Sequence, residues 1–295
     1  MADVCQDYVN SLNSAFAVTV SISVLHSVFS VIATVTNIIV LVAIWRTPFL
    51  QSSSTALLSG LAVADLGVGL VVQPAFTVLH VLIITKHFDV CFLVMFYNVS
   101  SSFLSGISVA TVTALSLDRY LCLHLNLRYQ EIVTKRRAKA ALILIWISFA
   151  FLTSIWLKSF QAFLIAACVF LSICFFLICF VYIKIFRLVQ HHKTQIQAQK
   201  HGQQNLADHI RTAVHTFVLV IVLSLCSAPY LGLMITIQVV GPNRVHWLAL
   251  DYGASLLLIN SSLNPFLYCW HNKNIRKAVM KVLRVIWRCC KAENV

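Results

Sequence analysis

The sequence predicts an all-α integral membrane protein: a seven-transmembrane helix bundle followed by an amphipathic helix at the membrane surface. Three observations carry this. The chain of 295 residues is 60% hydrophobic and only 11% charged, with a mean hydropathy of +0.87, whereas a soluble domain carries about 25% charged residues. Seven apolar runs reach the ~20 residues needed to cross ~30 Å of hydrocarbon, at 20–45, 55–84, 90–122, 139–157, 161–189, 212–240 and 246–269. The 22 Lys+Arg and 9 Asp+Glu are also sorted by side of the membrane.

That sorting fixes the order of the elements. Only Lys86, Lys158 and Arg244 fall in the connections after runs two, four and six. All other basic residues lie in or beside the connections after runs one, three and five, or in the tail. Positive charge collects on the cytoplasmic side, so residues 1–19 are read as a short extracellular segment and 270–295 as cytoplasmic. The first run follows residues with no basic n-region or small-residue cleavage site, and is read as a retained helix. Residues 20–269 form one membrane domain without internal repeat, and "HHKTQIQAQKHGQQNLADH" (191–209) is a cytoplasmic loop. Nucleic acid is not an expected partner, because the net charge of +13 is mostly a topology signal.

In "KNIRKAVMKVLRVIWRCC" (273–290), Ile275, Val279, Val282 and Ile286 recur at helical spacing among Lys and Arg. This is the pattern of an interfacial helix that meets anionic membrane lipids. Cys289 and Cys290 stand where palmitoylation would pin its end, the alternative being two reduced thiols.

Polar residues inside the runs mark the candidate sites. Asp65 in "LAVADLG" is an acid well inside run two, which costs about 2.5–3.5 kcal/mol on insertion scales. Asn260, Ser261 and Asn264 share one face of run seven, with Asn37 in run one and Ser108 in run three. One carboxylate and several neutral oxygens suit a hard cation. Hydrogen bonding that glues helices together is an equal alternative on spacing alone. Pro265 lacks an N–H, so run seven bends or opens there. Asp118 and Arg119 pair at the inner end of run three.

With Trp146, Pro229, "DRY" (118–120), Tyr182 and "NPFLY" (264–268) in order over roughly 20–290, the chain resembles the rhodopsin-like (class A) G-protein-coupled receptors. The resemblance implies a sodium pocket at Asn37, Asp65, Ser108, Asn260, Ser261 and Asn264, with sodium at Asp65 as an allosteric modulator and no other cofactor. It implies a coupling and activation set of Asp118, Arg119, Tyr120, Tyr182, Pro265 and Tyr268, and a heterotrimeric G-protein as partner. A plasma-membrane receptor, not an enzyme, follows.

Departures from the pattern are specific. The family's usual disulfide joins run three to the second extracellular loop, yet that loop is about "LKSFQ" and holds no cysteine. Cys91 is therefore read as having lost its partner, with Cys5 as the alternative mate. Cys174 replaces a common proline, Ser227 a frequent tryptophan, Leu223 a phenylalanine and Asn126 a proline, while His209 stands where an acid often pairs with the arginine. Raised basal activity or poor coupling would follow. The short loop and missing proline are similar to the melanocortin, cannabinoid and lysophospholipid branch, although Ala75 and Asn98 stand where a melanocortin pocket has acids.

For the ligand, Ser101 occupies the place of the amine receptors' aspartate and Leu258 that of the opsins' retinal lysine. Ser101, Ser102, Ser105, Ser227, Tyr230, Met234 and Leu258 form a candidate pocket of apolar groups and neutral hydroxyls, which suits a small, weakly polar or lipid-like ligand. For each serine, helix packing is the competing explanation. A peptide-responsive receptor is the alternative. A transporter fits poorly, with no repeat and an odd number of runs. A membrane hydrolase fits poorly too, since most histidines lie in loops or near run ends with no His/Asp ligand set inside the runs.

Overall fold

The computed structural model describes residues 2–13, 15–85, 90–125, 128–196, 203–241 and 243–292, with side chains left out over 191–215 and at scattered positions that include Cys289 and Cys290. The described residues are helical and contain no strand. In chain order the helices are α1 (Ala2–Asn13), α2 (Phe16–Trp45), α3 (Ser53–Gly67), α4 (Gln73–Ile84), α5 (Cys91–Leu125), α6 (Tyr129–Ile132), α7 (Lys135–Lys158), α8 (Phe160–Ile196), α9 (Gln203–Val240), α10 (Arg244–His271) and α11 (Lys273–Ala292). The seven apolar runs correspond to α2, α3 with α4, α5, α7, α8, α9 and α10. Six of these are long and apolar enough to cross a membrane by composition. The helix α10, which carries Asp251, Asn260 and Asn264, is not among the six.

Local chemistry explains the ends. Thr134 caps α7 by accepting from the Arg137 amide at 3.3 Å, and Asn243 caps α10 by accepting from the His246 amide at 2.8 Å. Asn272 accepts from the Asn274 and Ile275 amides at 2.9 and 3.2 Å, starting α11. These oxygens satisfy amides that have no partner within the helix. The last turn of α9 closes on Gly241, whose φ of 91° is open to glycine at little cost.

Run two is not one regular helix. A π turn at Val68–Val72 separates α3 from α4. Pro74 follows it, and its ring cannot donate to the Leu70 carbonyl one turn back, so regular α-helical bonding fails there.

The chain divides into two compact units that share the long helices. The first comprises 1–38, 63–105 and 222–266, and the second 39–62, 106–221 and 267–295. In the first, α1 is tied to α5 by a Cys5–Cys91 disulfide, and Thr19 donates to the Leu12 carbonyl at 3.1 Å. The expectation that Cys91 has lost its partner is therefore corrected: Cys5, 86 residues away, replaces the loop cysteine because α1 folds back beside the start of α5. In the second unit Leu123, Val181 and Ile185 form a buried cluster with Tyr120 and Tyr182 packed against it. On α11, Ile275, Ala278 and Val279 are buried in the first turns, while Ile286, on the same face further along, is exposed together with Trp287, leaving apolar surface of the kind an interfacial helix turns to lipid.

Candidate functional site

Three groups of polar side chains are held in the helices. The first surrounds Asp65, which is fully buried and accepts from Asn264 Nδ2 at 2.8 Å. Asn37 donates to the Ala33 carbonyl at 2.9 Å and to the Ser261 carbonyl at 3.1 Å. With its amide nitrogen so engaged, its Oδ1 is left buried without a hydrogen-bond partner, as is Asn260 Oδ1. A buried acceptor left unpaired costs about 1–3 kcal/mol. A buried carboxylate and unspent amide oxygens in the same unit are ligands of the kind a small hard cation takes, and Asn264 is bonded directly to Asp65. Asn37, Asp65, Asn260, Ser261 and Asn264 all belong to the first unit, whereas Ser108 is buried on α5 in the second.

The second group centres on Asp118 in the second unit. Arg119 donates to Asp118 Oδ2, Ser54 donates to the same oxygen at 2.7 Å, and Tyr129 donates to Oδ1 at 2.7 Å. Tyr129 also shares a 2.8 Å hydrogen bond with Ser53. Three donors from α3, α5 and α6 thus hold one carboxylate, in charge-assisted bonds. Burial and then the neighbouring Asp118 charge raise the Tyr129 phenol above its ordinary range, so it remains a donor. Tyr182 packs its ring against Phe217 at 4.6 Å, Tyr120 stacks on His124 at 5.4 Å, and Tyr268 is buried. Pro265 lies inside α10 without ending it. Asn126 lies outside the described residues, as do the side chains of Asp208, His209, Cys289 and Cys290.

The third group lies in the first unit and is largely absent from the sequence reading. Asp251 of α10 accepts from Tyr8 Oη of α1 at 3.0 and 3.3 Å and pairs with His80 Nε2 of α4 at 3.1 Å. The other ring nitrogen of His80 meets the Phe76 carbonyl at 2.9 Å. His26 bonds Ser255 at 2.9 Å, and the Phe76 ring lies 4.2 Å from His26 and 4.0 Å from His80. Gln73 donates to the Leu258 carbonyl at 3.3 Å. An acid with two imidazoles is thus buried in α2, α4 and α10, where the sequence predicts no His/Asp set. The signal was present: histidines within "VLHSVF" and "VLHVLII" and an acid within "LALDYG" are costly in lipid unless partnered.

The proposed pocket residues are all in this unit. Ser101 is buried and hydrogen-bonded to Tyr97, Leu258 is fully buried, and Met234 is buried. Ser102, Ser105 and Tyr230 are half-buried. Ser227 is half-buried and donates to its own helix at the Leu223 carbonyl, 2.6 Å away, as a packing serine does.

Comparison with known proteins adds independent findings. The model of the 7 transmembrane receptor (rhodopsin family) matches residues 36–162 and 148–268. The sequence is 25% identical over 284 residues to the adenosine receptor A3 of Ovis aries, covering 87% of each chain. It is 24% identical over 301 residues to the adenosine receptor A2b of Homo sapiens, covering 88% of each. In fold it is similar to squid rhodopsin, with a TM-score of 0.79 at 18% identity, over 93% of this chain and 87% of that one.

Proposed function

Because the chain belongs to the rhodopsin family of 7 transmembrane receptors, we propose that it passes an extracellular ligand signal to heterotrimeric G-proteins by rearranging its helices. Membership makes it a multi-pass membrane receptor rather than an enzyme. The observation that carries the mechanism is the capture of Arg119 by Asp118, itself held by Ser54 and Tyr129. Breaking these bonds would release the guanidinium for a partner at the inner end of α5. A ligand that binds the released state better shifts the population by its differential affinity. Tyr120, Tyr182, Pro265 and Tyr268 complete the coupling set.

Sodium is the proposed brake. Asp65, Asn37, Asn260, Ser261 and Asn264 would hold it, and the unspent buried oxygens of Asn37 and Asn260 support this. When bound, the ion would supply positive charge beside a fully buried carboxylate. The ligand is proposed to be small and weakly polar or lipid-like, neither an amine nor retinal. The apolar Leu258 and Met234 and the hydroxyls around Ser101 support this, and relatives named for adenosine support small size alone. A peptide ligand is the second reading, favoured by α1, a piece of polypeptide already seated beside Asp251. The receptor is placed in the plasma membrane with α1 outside and α11 inside, Cys289 and Cys290 being lipidated there.

Guanine-nucleotide exchange on a panel of G-proteins, in membranes holding this chain without ligand, tests the reading. Exchange should depend on Arg119, disappearing in Arg119→Ala, and should fall on adding sodium. Exchange indifferent to both changes would sink it.

A further inference from the structure

Tyr8 stands in an unusual relation to the rest of the first unit. It comes from α1, which precedes the first apolar run, and α1 is held in place covalently by Cys5–Cys91. Its ring is buried and meets the Trp247 ring edge-on at 5.5 Å. Its hydroxyl donates to both oxygens of Asp251, at 3.0 and 3.3 Å. Asp251 is itself 3% exposed and takes its other contact from His80 at 3.1 Å. His80 is fixed at both nitrogens, by Asp251 and by the Phe76 carbonyl. A rigid carboxylate–imidazole pair below an aromatic wall therefore receives one phenol, and that phenol is delivered by a tether.

We propose that Asp251, His80 and Trp247 form a recognition site for an aromatic hydroxyl, that Tyr8 fills it in the resting protein, and that a phenolic ligand acts by taking Tyr8's place. The requirement is specific. A carboxylate this deeply buried needs a hydrogen-bond donor, and the ring above the donor must offer a face or edge to Trp247. Burial and the Asp251 charge hold the Tyr8 phenol well above the ordinary tyrosine range, so it is a donor and not a phenolate. Because Cys5 keeps α1 attached after displacement, Tyr8 stays at high local concentration and returns when the ligand leaves. The signalling consequence rests on the receptor reading above, but the site itself does not.

The test uses the purified full chain and its unfolding temperature, which involves no G-protein. Tyr8→Ala should unfold several degrees lower than the unaltered chain. The probe p-cresol, which is the tyrosine side chain as a free molecule, should restore most of that shift. Toluene, the same ring without the hydroxyl, should not, and the unaltered chain, where tethered Tyr8 competes for the site, should need far more p-cresol to respond. Equal effects of p-cresol and toluene, or no effect of p-cresol on Tyr8→Ala, would overturn the site. Should Tyr8→Ala not fold, Tyr8→Phe decides: it keeps the ring against Trp247 and loses only the donor. It should unfold below the unaltered chain, and equality would overturn the proposal. Restoration by p-cresol together with silent nucleotide exchange would leave the site standing and remove the receptor mechanism alone.

Discussion

Tyr129 reaches Asp118 from a helix of only four residues, and that one hydroxyl gives a direct handle on Arg119. Tyr129→Phe keeps the ring and removes the donor at Asp118 Oδ1. Hydrogen bonds to charged groups contribute about 1.5–3 kcal/mol, and only the part that differs between resting and released states moves the balance. A difference of ~1 kcal/mol would raise ligand-independent nucleotide exchange roughly fivefold, and unchanged exchange would mean that Tyr129 holds Asp118 equally in both states. The pH sense is also fixed. Because the folded-state phenol is raised above 10.0, its stabilising contribution is complete below the ordinary tyrosine value and is lost only as pH rises through the raised one. Neutral and mildly alkaline buffers should therefore leave basal exchange unaffected through this residue. Legibility at this scale followed short motifs rather than sequence distance. Asp118 and Arg119 are adjacent, and the Asn264–Asp65 pair, 199 residues apart, was readable because each partner lies in a short recognisable motif. The His80–Asp251 and Tyr8–Asp251 pairs, 171 and 243 residues apart, have no such motif, and only the cost of a buried charge hinted at them.

Among the elements, the π turn at Val68–Val72 makes the sharpest demand on sequence. Gly69 is where it passes α2: a Cβ there would come within 2.8 Å of Thr34 Oγ1, 2.9 Å of the Thr34 amide nitrogen and 3.0 Å of Ala33 Cβ. Ser30 donates to the Gly69 carbonyl at 2.7 Å across the same contact. Two of the obstructing atoms are backbone or a fully buried alanine, so they have little room to move. Gly69→Val should cost about 1–3 kcal/mol, the usual penalty for overpacking, and should lower the unfolding temperature. Gly232 on α9 is the opposite case, with nothing within 4 Å of its built Cβ. There Gly232→Ala should be neutral or stabilising by up to ~1 kcal/mol, since alanine is the better helix former. If the two substitutions shift unfolding alike, the close approach at Gly69 is not what holds α2 to the turn. The apolar runs located the long helices because hydrocarbon thickness dictates their length. The π turn was not legible, because it depends on a missing proline N–H and on a neighbour brought near by folding. The helix α1 went unread for a different reason: its buried Cys5, Tyr8, Val9 and Leu12 do recur at i, i+3, i+4 and i+7, but its twelve residues are too short and too polar to register as an apolar run.

At the scale of the whole molecule, two features predict the same orientation of the chain across the membrane. Basic residues cluster after the first, third and fifth apolar runs and in α11, which by the positive-inside rule puts those segments in the cytoplasm. The Cys5–Cys91 disulfide joins α1 to the start of α5, and both of these lie on the other side by the same count. Disulfides persist in oxidising compartments and are rare in the cytosol, so the bond belongs where charge places it. The thiols of Cys122 and Cys269 fall near the ends of α5 and α10 that the same charge count assigns to the cytoplasm, the expected side for reduced cysteines. An epitope fused before Ala2 should therefore be labelled by antibody on intact cells, while one fused after the tail should be labelled only once cells are permeabilised. Neutralising Lys135, Arg136, Arg137 and Lys139 together should weaken this bias, giving a fraction of chains with the tail outside. Those inverted chains should lack the Cys5–Cys91 bond, visible as two additional alkylatable thiols. Uniform labelling of the tail on intact cells would reverse the orientation, and with it the assignment of Arg119 to the G-protein side.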